Sequence, residues 1–357
     1  MHKIVIPGYS GSVHVRRWAQ GLAGRGLDIT VVSLGGGKID GVETIILESD
    51  GDRQWGYIKY LPRIKRIINK LDPALIHSHY ATGFGLWGAY SGCHPFVISV
   101  WGADIIDFPN SLYKKYLLNK ILSSADYLTA TSRFLGEKTI QLLPSIRDKL
   151  AVIPFGVKIP EIESAHSDRK PIRLVYIKAH TPKYGPDILL KAVHALIQQG
   201  MDISLTMAGA GEMTNDLIKM TKELDITARV AFVGFIDNRQ IPSLLAEHDI
   251  MVMPSIMESE SFGVAALEAS SVGLPVIASD VGGVSEVVSD NETGILVRPG
   301  DSENLAAAIK KLAGDVALRK RMGIAGVEFV RANYDWEKNL DQMIGLYDRL
   351  LNGKGKA

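Results

Sequence analysis

One pattern constrains this chain more than any other. A short apolar run, a turn and an amphipathic helical stretch follow one another, again and again. Ile4–Pro7 is the first run, and Asp28–Leu34, Ala74–His79, Phe96–Val100, Tyr127–Ala130 and Leu150–Pro154 follow it. After the first run, Gly8-Tyr9-Ser10-Gly11 reads as a turn. Ser12 reads as the cap of a helix whose apolar face is Val15, Trp18, Ala19 and Leu22, with Gly24 and Gly26 ending it. Near-continuous apolar strands alternating with helices predict parallel sheets covered on both faces.

A second series of the same kind starts at Arg173–Ile177. Its strands are Ser204–Ala208, Val230–Val233, Ile250–Met253, Pro275–Ser279 and Gly294–Val297. Its helices are expected near Asp187–Gln199, Asn215–Leu224, Ile241–Glu247 and Val264–Val272, and after a cap at Asp301. Lys158–Pro171, carrying Pro160, Pro171 and several charges, reads as a linker. With 357 residues the chain is long enough for two domains. The boundaries expected are 1–160 for the first, joined by a terminal helix at 336–357, and 170–333 for the second. Asn333-Tyr334-Asp335 interrupts the chain just before that terminal helix.

Charge and cysteine content exclude several function classes. The formal net charge of +1 argues against nucleic acid as the main partner. It conceals an asymmetry: residues 1–157 hold 18 Lys+Arg against 12 Asp+Glu, and residues 158–357 hold 22 against 27. The lone cysteine, Cys93, permits no intrachain disulfide and no Cys-rich zinc site. Met1-His2-Lys3 leads straight into a strand without the apolar core of a secretory signal, and no run approaches the ~20 apolar residues of a membrane span. The expectation is a cytoplasmic protein. Two basic amphipathic stretches, Lys59–Lys70 and Leu112–Leu122, raise the expectation of peripheral contact with an anionic membrane on its inner face.

The most informative segment is 254–300. Glu260 and Glu268 stand either side of seven residues, a spacing that alone means little. Around it, Pro254-Ser255 ends a strand, Ser261-Phe262-Gly263-Val264 opens a helix, and Gly273-Leu274-Pro275-Val276, Gly282-Gly283 and Glu286 follow. This arrangement resembles retaining nucleotide-sugar glycosyltransferase family four, the group 1 glycosyltransferases, of GT-B fold. Ser12–Leu34, Ala125–Ser132, Val152–Val157, Leu205–Gly211 and Phe232–Gly234 resemble further parts of the same family.

The resemblance implies two Rossmann-like parallel-sheet domains facing across a cleft, with the C-terminal helix crossing back to domain one. It implies transfer of a sugar from a UDP- or GDP-sugar to a hydroxyl of a glycan or lipid-linked acceptor, with retention and without a metal or other cofactor. Surface polysaccharide synthesis is the expected setting. By similarity Glu260 binds donor-sugar hydroxyls and Glu268 the ribose. Physical chemistry agrees: an ionised carboxylate is a pure acceptor suited to hydroxyls. Backbone N–H groups of Ser261, Phe262, Gly263 and Val264 at a helix start suit an anion.

The family places an Arg and a Lys after the first strand of domain two. Here the stretch is Lys178-Ala179-His180-Thr181-Pro182-Lys183-Tyr184-Gly185, so Lys178 and Lys183 are the expected diphosphate cations. Aligning on Gly185 puts Tyr184 in the Lys position instead. In domain one, Gly8 and Gly11 are expected to face the donor, with His14 and Arg17 nearby. Trp101 stands where many relatives have His, so Asp104 is expected to meet a sugar hydroxyl. Phe235 is expected near the nucleobase.

Three rival readings lose ground. A dehydrogenase would show G-x-G-x-x-G, which Gly8-x-x-Gly11 is not. Asp50-Gly51-Asp52 after an apolar run suggests a metal-dependent transferase of another fold, but a Gly-Asp turn explains it. His77 and His79 have no acidic or cysteine neighbour within a few residues to complete a metal set. A non-catalytic nucleotide-sugar or glycan-binding protein on the same fold stays open.

Overall fold

The computed structural model describes residues 2–48, 53–164 and 170–353, without the side chains of residues 53–55. Asp50-Gly51-Asp52 and the middle of the linker lie outside the described residues. The chain divides into two compact units: Met1–Phe155 with Glu337–Ala357, and Gly156–Trp336.

The first unit is a seven-stranded parallel sheet in the order β3-β2-β1-β4-β5-β6-β7. The strands are β1 (Lys3–Pro7), β2 (Asp28–Leu34), β3 (Glu43–Leu47), β4 (Leu75–His79), β5 (Phe96–Val100), β6 (Tyr127–Ala130) and β7 (Leu150–Val152). Its helices are α1 (Val13–Gly24), α2 (Arg53–Lys59), α3 (Leu61–Leu71), α4 (Gly83–Ser91), α5 (Ala103–Ile106), α6 (Leu112–Ser124) and α7 (Arg133–Leu142). Every residue of β4 and β5 is buried, as expected where helices cover both faces of a parallel sheet. The edge strand β3 is different. Only Leu47 of its five residues is buried, so its apolar signal is short and does not stand out as a strand in the sequence.

The second unit is a six-stranded parallel sheet in the order β10-β9-β8-β11-β12-β13. The strands are β8 (Ile172–Ile177), β9 (Ile203–Ala208), β10 (Val230–Gly234), β11 (Ile250–Met253), β12 (Val276–Ser279) and β13 (Gly294–Val297). Its helices are α8 (Pro186–Gln198), α9 (Thr214–Glu223), α10 (Ile241–Ala246), α11 (Val264–Ser271), α12 (Ser302–Ala313) and α13 (Val316–Asn333). The sequence shows one helix after Asp301, but the chain forms two. Asp301 caps α12 through the Asn304 N–H, the helix stops at Gly314, and Asp315 caps α13 through the Leu318 N–H. The fully buried Arg319 of α13 then donates to the Leu312 and Ala313 carbonyls, satisfying the open end of α12.

The terminal helix α14 (Trp336–Gly353) returns to the first unit. The Tyr347 hydroxyl and His77 Nδ1 are 2.5 Å apart, and Arg25 reaches Glu337 at 2.7 Å and Asp341 at 2.8 Å. The buried pair ties the helix to the centre of the sheet. The exposed Arg25 pairs add little to stability.

Each sheet has one place where neighbouring strands lead off in opposite directions. In the first unit β1 runs on to β2 and β4 to β5, so this place lies between β1 and β4. In the second unit it lies between β8 and β11. Open parallel sheets bind ligands at the carboxyl ends of such strands.

Candidate active site

Lys178 leaves the carboxyl end of β8, and the stretch from Pro254 to Gly263 leaves that of β11. The fold therefore brings together residues 82 apart in sequence. Lys178 Nζ lies 3.1 Å from Glu260 Oε2 and 3.2 Å from Oε1. Their side chains are only 16% and 8% exposed, so this is a largely desolvated ion pair. Burial alone would lower the Lys178 ammonium. The Glu260 carboxylate, with Tyr184 and Glu268 adding to it, more than offsets this and holds it above its usual value. The lysine is a fixed cation at neutral pH.

Glycines hold this arrangement where a Cβ has no room. At Gly282 (φ +59°) a Cβ would sit 2.2 Å from the Glu260 carbonyl oxygen and 2.6 Å from that of Glu258. The Gly283 N–H also donates to the Glu260 carbonyl at 3.1 Å. The Gly-Gly turn thus presses directly against the backbone that carries the glutamate. Gly185 (φ +58°) has its Cβ direction 2.2 Å from the Pro254 carbonyl oxygen and opens α8. This pins the preceding Tyr184 in place.

Lys183 Nζ donates to the Ser259 carbonyl at 2.8 Å, next to Glu260. Glu268 lies half-buried in α11, and its charge is felt at Lys178. At the start of that helix Gly263 adopts φ +84°, and Ser261 and Phe262 are buried. The Phe262 ring turns inward against Tyr334, with centroids 5.6 Å apart. Only its backbone can face a ligand, and Val264 is the first residue of the helix proper. Beside Lys178 a cavity of about 310 Å³ is lined by Ile177, Ala179, Gly209, Phe235, Asn238 and Ile241. Phe235 is 81% exposed at its mouth, an unusual position for an aromatic ring.

In the first unit the expected residues fare differently. A Cβ on Gly8 would meet Val15 at 3.2 Å and His79 Cβ at 3.4 Å. One on Gly11 would meet the Tyr9 ring at 2.6 Å. Both glycines are therefore explained by local packing, at the carboxyl end of β1. Ser12 sits at the cap position of α1 but makes no side-chain cap bond. Asp104, expected to meet a sugar hydroxyl, is engaged within the first unit. It is fully buried, and its carboxylate accepts from the Ala81, Gly102 and Trp101 N–H groups at 2.8, 2.8 and 3.1 Å. Burial raises its pKa and these bonds oppose the rise. The carboxylate fixes the loops after β4 and β5, since its acceptor sites point inward.

Trp101 lies among aromatic rings: His79 at 5.1 Å, Phe155 at 5.3 Å and His14 at 5.8 Å, with His14 stacked on Phe155 at 4.1 Å. His77 uses both ring nitrogens, on Tyr347 and on Ser99 at 2.7 Å. His79 is 1% exposed, and its buried Nδ1 has no hydrogen-bond partner among the described residues. Among the described residues no group of three or more His, Cys, Asp or Glu side chains could hold a metal ion, and no helix is long and apolar enough to cross a membrane.

Two family models match. One, described as glycosyl transferases group 1, covers residues 158–329, and the other, glycosyl transferase 4-like, covers residues 3–132. A D-inositol 3-phosphate glycosyltransferase of Nocardia farcinica is 28% identical over 262 residues, 69% of this chain and 57% of that protein. A GDP-mannose-dependent alpha-(1-6)-phosphatidylinositol monomannoside mannosyltransferase of Mycolicibacterium smegmatis is 26% identical over 315 residues, 83% of this chain and 80% of that one. Among solved structures, sucrose-phosphate synthase of Thermosynechococcus elongatus superposes with a TM-score of 0.84 at 22% identity, covering 99% of this chain and 100% of the other. Anabaena HepE in complex with UDP-glucose gives 0.84 at 19%, covering 98% and 100%. At such identities the likeness establishes the fold, which is GT-B.

Proposed function

This chain belongs to the group 1 glycosyltransferases, and from that premise we propose that it moves a sugar, with retention and without a metal, from a UDP- or GDP-sugar to a hydroxyl of a glycan or lipid-linked acceptor. The observation that carries this reading is the Lys178–Glu260 pair at the carboxyl ends of β8 and β11, with Glu268 beside it and the Phe235 cavity next door. HepE with UDP-glucose and the GDP-mannose named for the Mycolicibacterium relative support a nucleotide-sugar donor.

The chemistry follows from the charges. The bond from the anomeric carbon to the diphosphate breaks, and a bond to the acceptor oxygen forms on the same face. The acceptor proton passes to the departing phosphate oxygen. Negative charge grows on the diphosphate, where Lys178 and Lys183 and the N–H groups at the start of α11 stabilise it. Glu260 accepts from donor-sugar hydroxyls and Glu268 from the ribose. The nucleobase occupies the cavity at Phe235. The second unit is the donor side and the first the acceptor side.

The setting proposed is surface polysaccharide synthesis on the inner face of an anionic membrane. Neighbouring helices α3, α4 and α6 carry no acidic residue, while Arg63, Lys65, Arg66, Lys70, Lys114, Lys115 and Lys120 lie on α3 and α6. Leu112, Tyr113 and Tyr116 are 89%, 73% and 62% exposed among these lysines. Cations beside apolar groups suit an anionic lipid surface, each cation adding about 1 kcal/mol there. Co-sedimentation with anionic vesicles should exceed that with neutral ones, and equal recovery counts against this setting.

The test of the function is release of UDP or GDP from a panel of nucleotide sugars with candidate acceptors. Release that is lost in Glu260→Ala and Lys178→Ala supports the reading. Binding without turnover in the wild type means a non-catalytic nucleotide-sugar protein.

A further inference from the structure

One residue in this site does not fit the family pattern and is not absorbed by the mechanism above. Tyr184 stands directly before Gly185, where the pattern has a lysine. Its backbone is fixed by its neighbours. Gly185 is held by its close approach to the Pro254 carbonyl, and the Tyr184 N–H donates to the Thr181 carbonyl at 3.2 Å in a short turn. The tyrosine is locked on both sides.

Its ring has two cations over it. Lys178 Nζ lies 5.0 Å from the ring centroid and Lys183 Nζ 5.3 Å. Other parts of the ring pack on the core of the second unit. Two ammonium groups around one ring repel each other, and each rides on a flexible stem. The electron-rich face of an anchored ring attracts both. Each lysine has a second tether that also limits its swing, Glu260 for Lys178 and the Ser259 carbonyl for Lys183. The phenol is kept protonated, because burial and Glu260 raise its pKa against the pull of Lys178. It therefore adds no negative charge that would compete with a phosphate.

We propose that Tyr184 is the positioning residue of the diphosphate site: its ring holds both the Lys178 and the Lys183 ammonium groups, so that a diphosphate meets two fixed cations although a tyrosine stands in the position of the pattern's lysine. The ligand class is the diphosphate of a nucleoside diphosphate, and in this respect the proposal rests on the donor reading above. What matters is the π face. The hydroxyl is dispensable.

Tyr184→Phe keeps the face and Tyr184→Leu keeps apolar bulk without it. Calorimetry on the full chain with inorganic pyrophosphate, UDP, GDP, UMP and GMP separates the terms. The expected result is that the Phe variant binds pyrophosphate and the preferred diphosphate within about threefold of wild type. The Leu variant binds them at least tenfold more weakly, with monophosphate binding changed by less than twofold and the melting temperature retained. A merely structural role would lower all the affinities together with the melting temperature. Unchanged diphosphate affinity in the Leu variant overturns the proposal, as does an equal loss in the Phe variant. Failure of wild type to bind pyrophosphate while it binds UMP or GMP overturns the proposal and spares the nucleotide pocket. Failure to bind any of the five overturns the donor reading as well.

Discussion

Removing the Lys178 ammonium should unfold the second unit more easily, because it strands the Glu260 carboxylate. Lys178→Met keeps the stem and deletes the charge. The two side chains are 16% and 8% exposed, so little water is at hand to take the place of the lost partner. Breaking a buried pair costs about 3–5 kcal/mol, and the remaining exposure places this case at about 3. For a unit the size of Gly156–Trp336, about 3 kcal/mol corresponds to a fall of about 6–12 °C in melting temperature. Glu260→Gln in the same background removes the stranded charge and should return most of that loss. The assay is thermal unfolding of wild type, both single variants and the double variant at neutral pH, read as a double-mutant cycle. A Lys178→Met midpoint within 2 °C of wild type, or a double variant no better than the single, refutes the desolvated pair. On the activity side the same variant loses the cation proposed to face the leaving group, and kcat/KM should fall about 100- to 1000-fold even where the double variant is stable.

Three further outcomes follow from the geometry. His77 and His79 are held neutral by burial, with a neighbouring imidazole adding, and His79 is pushed down to about 3. The unfolded chain takes up protons near pH 6.5 that the folded state refuses, so stability is full above that pH and falls as pH drops toward 4, by about 1.4 kcal/mol per pH unit for each imidazole. Melting temperatures measured from pH 7.5 to 5.0 should show this slope, and His79→Phe, which also removes an unpaired buried nitrogen, should reduce it. Gly282→Ala forces a Cβ to within 2.2 Å of the Glu260 carbonyl at a positive φ, and should cost both melting temperature and transfer rate, whereas Gly24→Ala, in open space at the end of α1, should leave the rate unchanged and should not lower the melting temperature. Asp104→Asn replaces one accepting oxygen with an NH2 group, so that at least one of the three backbone N–H groups loses its acceptor; it should destabilise the first unit by about 1–3 kcal/mol, measured by urea unfolding, with donor binding unchanged.

Much of this was legible in the residues, for reasons that differ from element to element. The central strands β4, β5 and β11 are buried throughout, and β8 at four of its six residues, so their apolar runs read clearly. Edge strand β3 lacks that signature and was missed. The break between α12 and α13 was missed because Gly314-Asp315 is only two residues of punctuation inside one long amphipathic pattern. Lys178 and Glu260 could each be named from local motifs. That they pair across 82 residues follows only from the strand order, which brings the ends of β8 and β11 together. Asp104 was read as facing a ligand because a carboxylate after a strand invites that. Three inward backbone N–H groups are invisible in sequence. The same limit applies to His77 and His79. Two identical residues on one face of β4 differ in role because only one has Tyr347 and Ser99 in reach.

The reading proposed above has the second unit hold a nucleotide sugar through Lys178, Glu260 and Glu268. Calorimetric titration of wild type and Glu268→Ala with UDP- and GDP-sugars tests it most directly. The expected result is one-site binding of one nucleotide series by wild type, weakened at least tenfold in the variant at unchanged melting temperature. No binding by wild type, or equal binding by the variant, contradicts it.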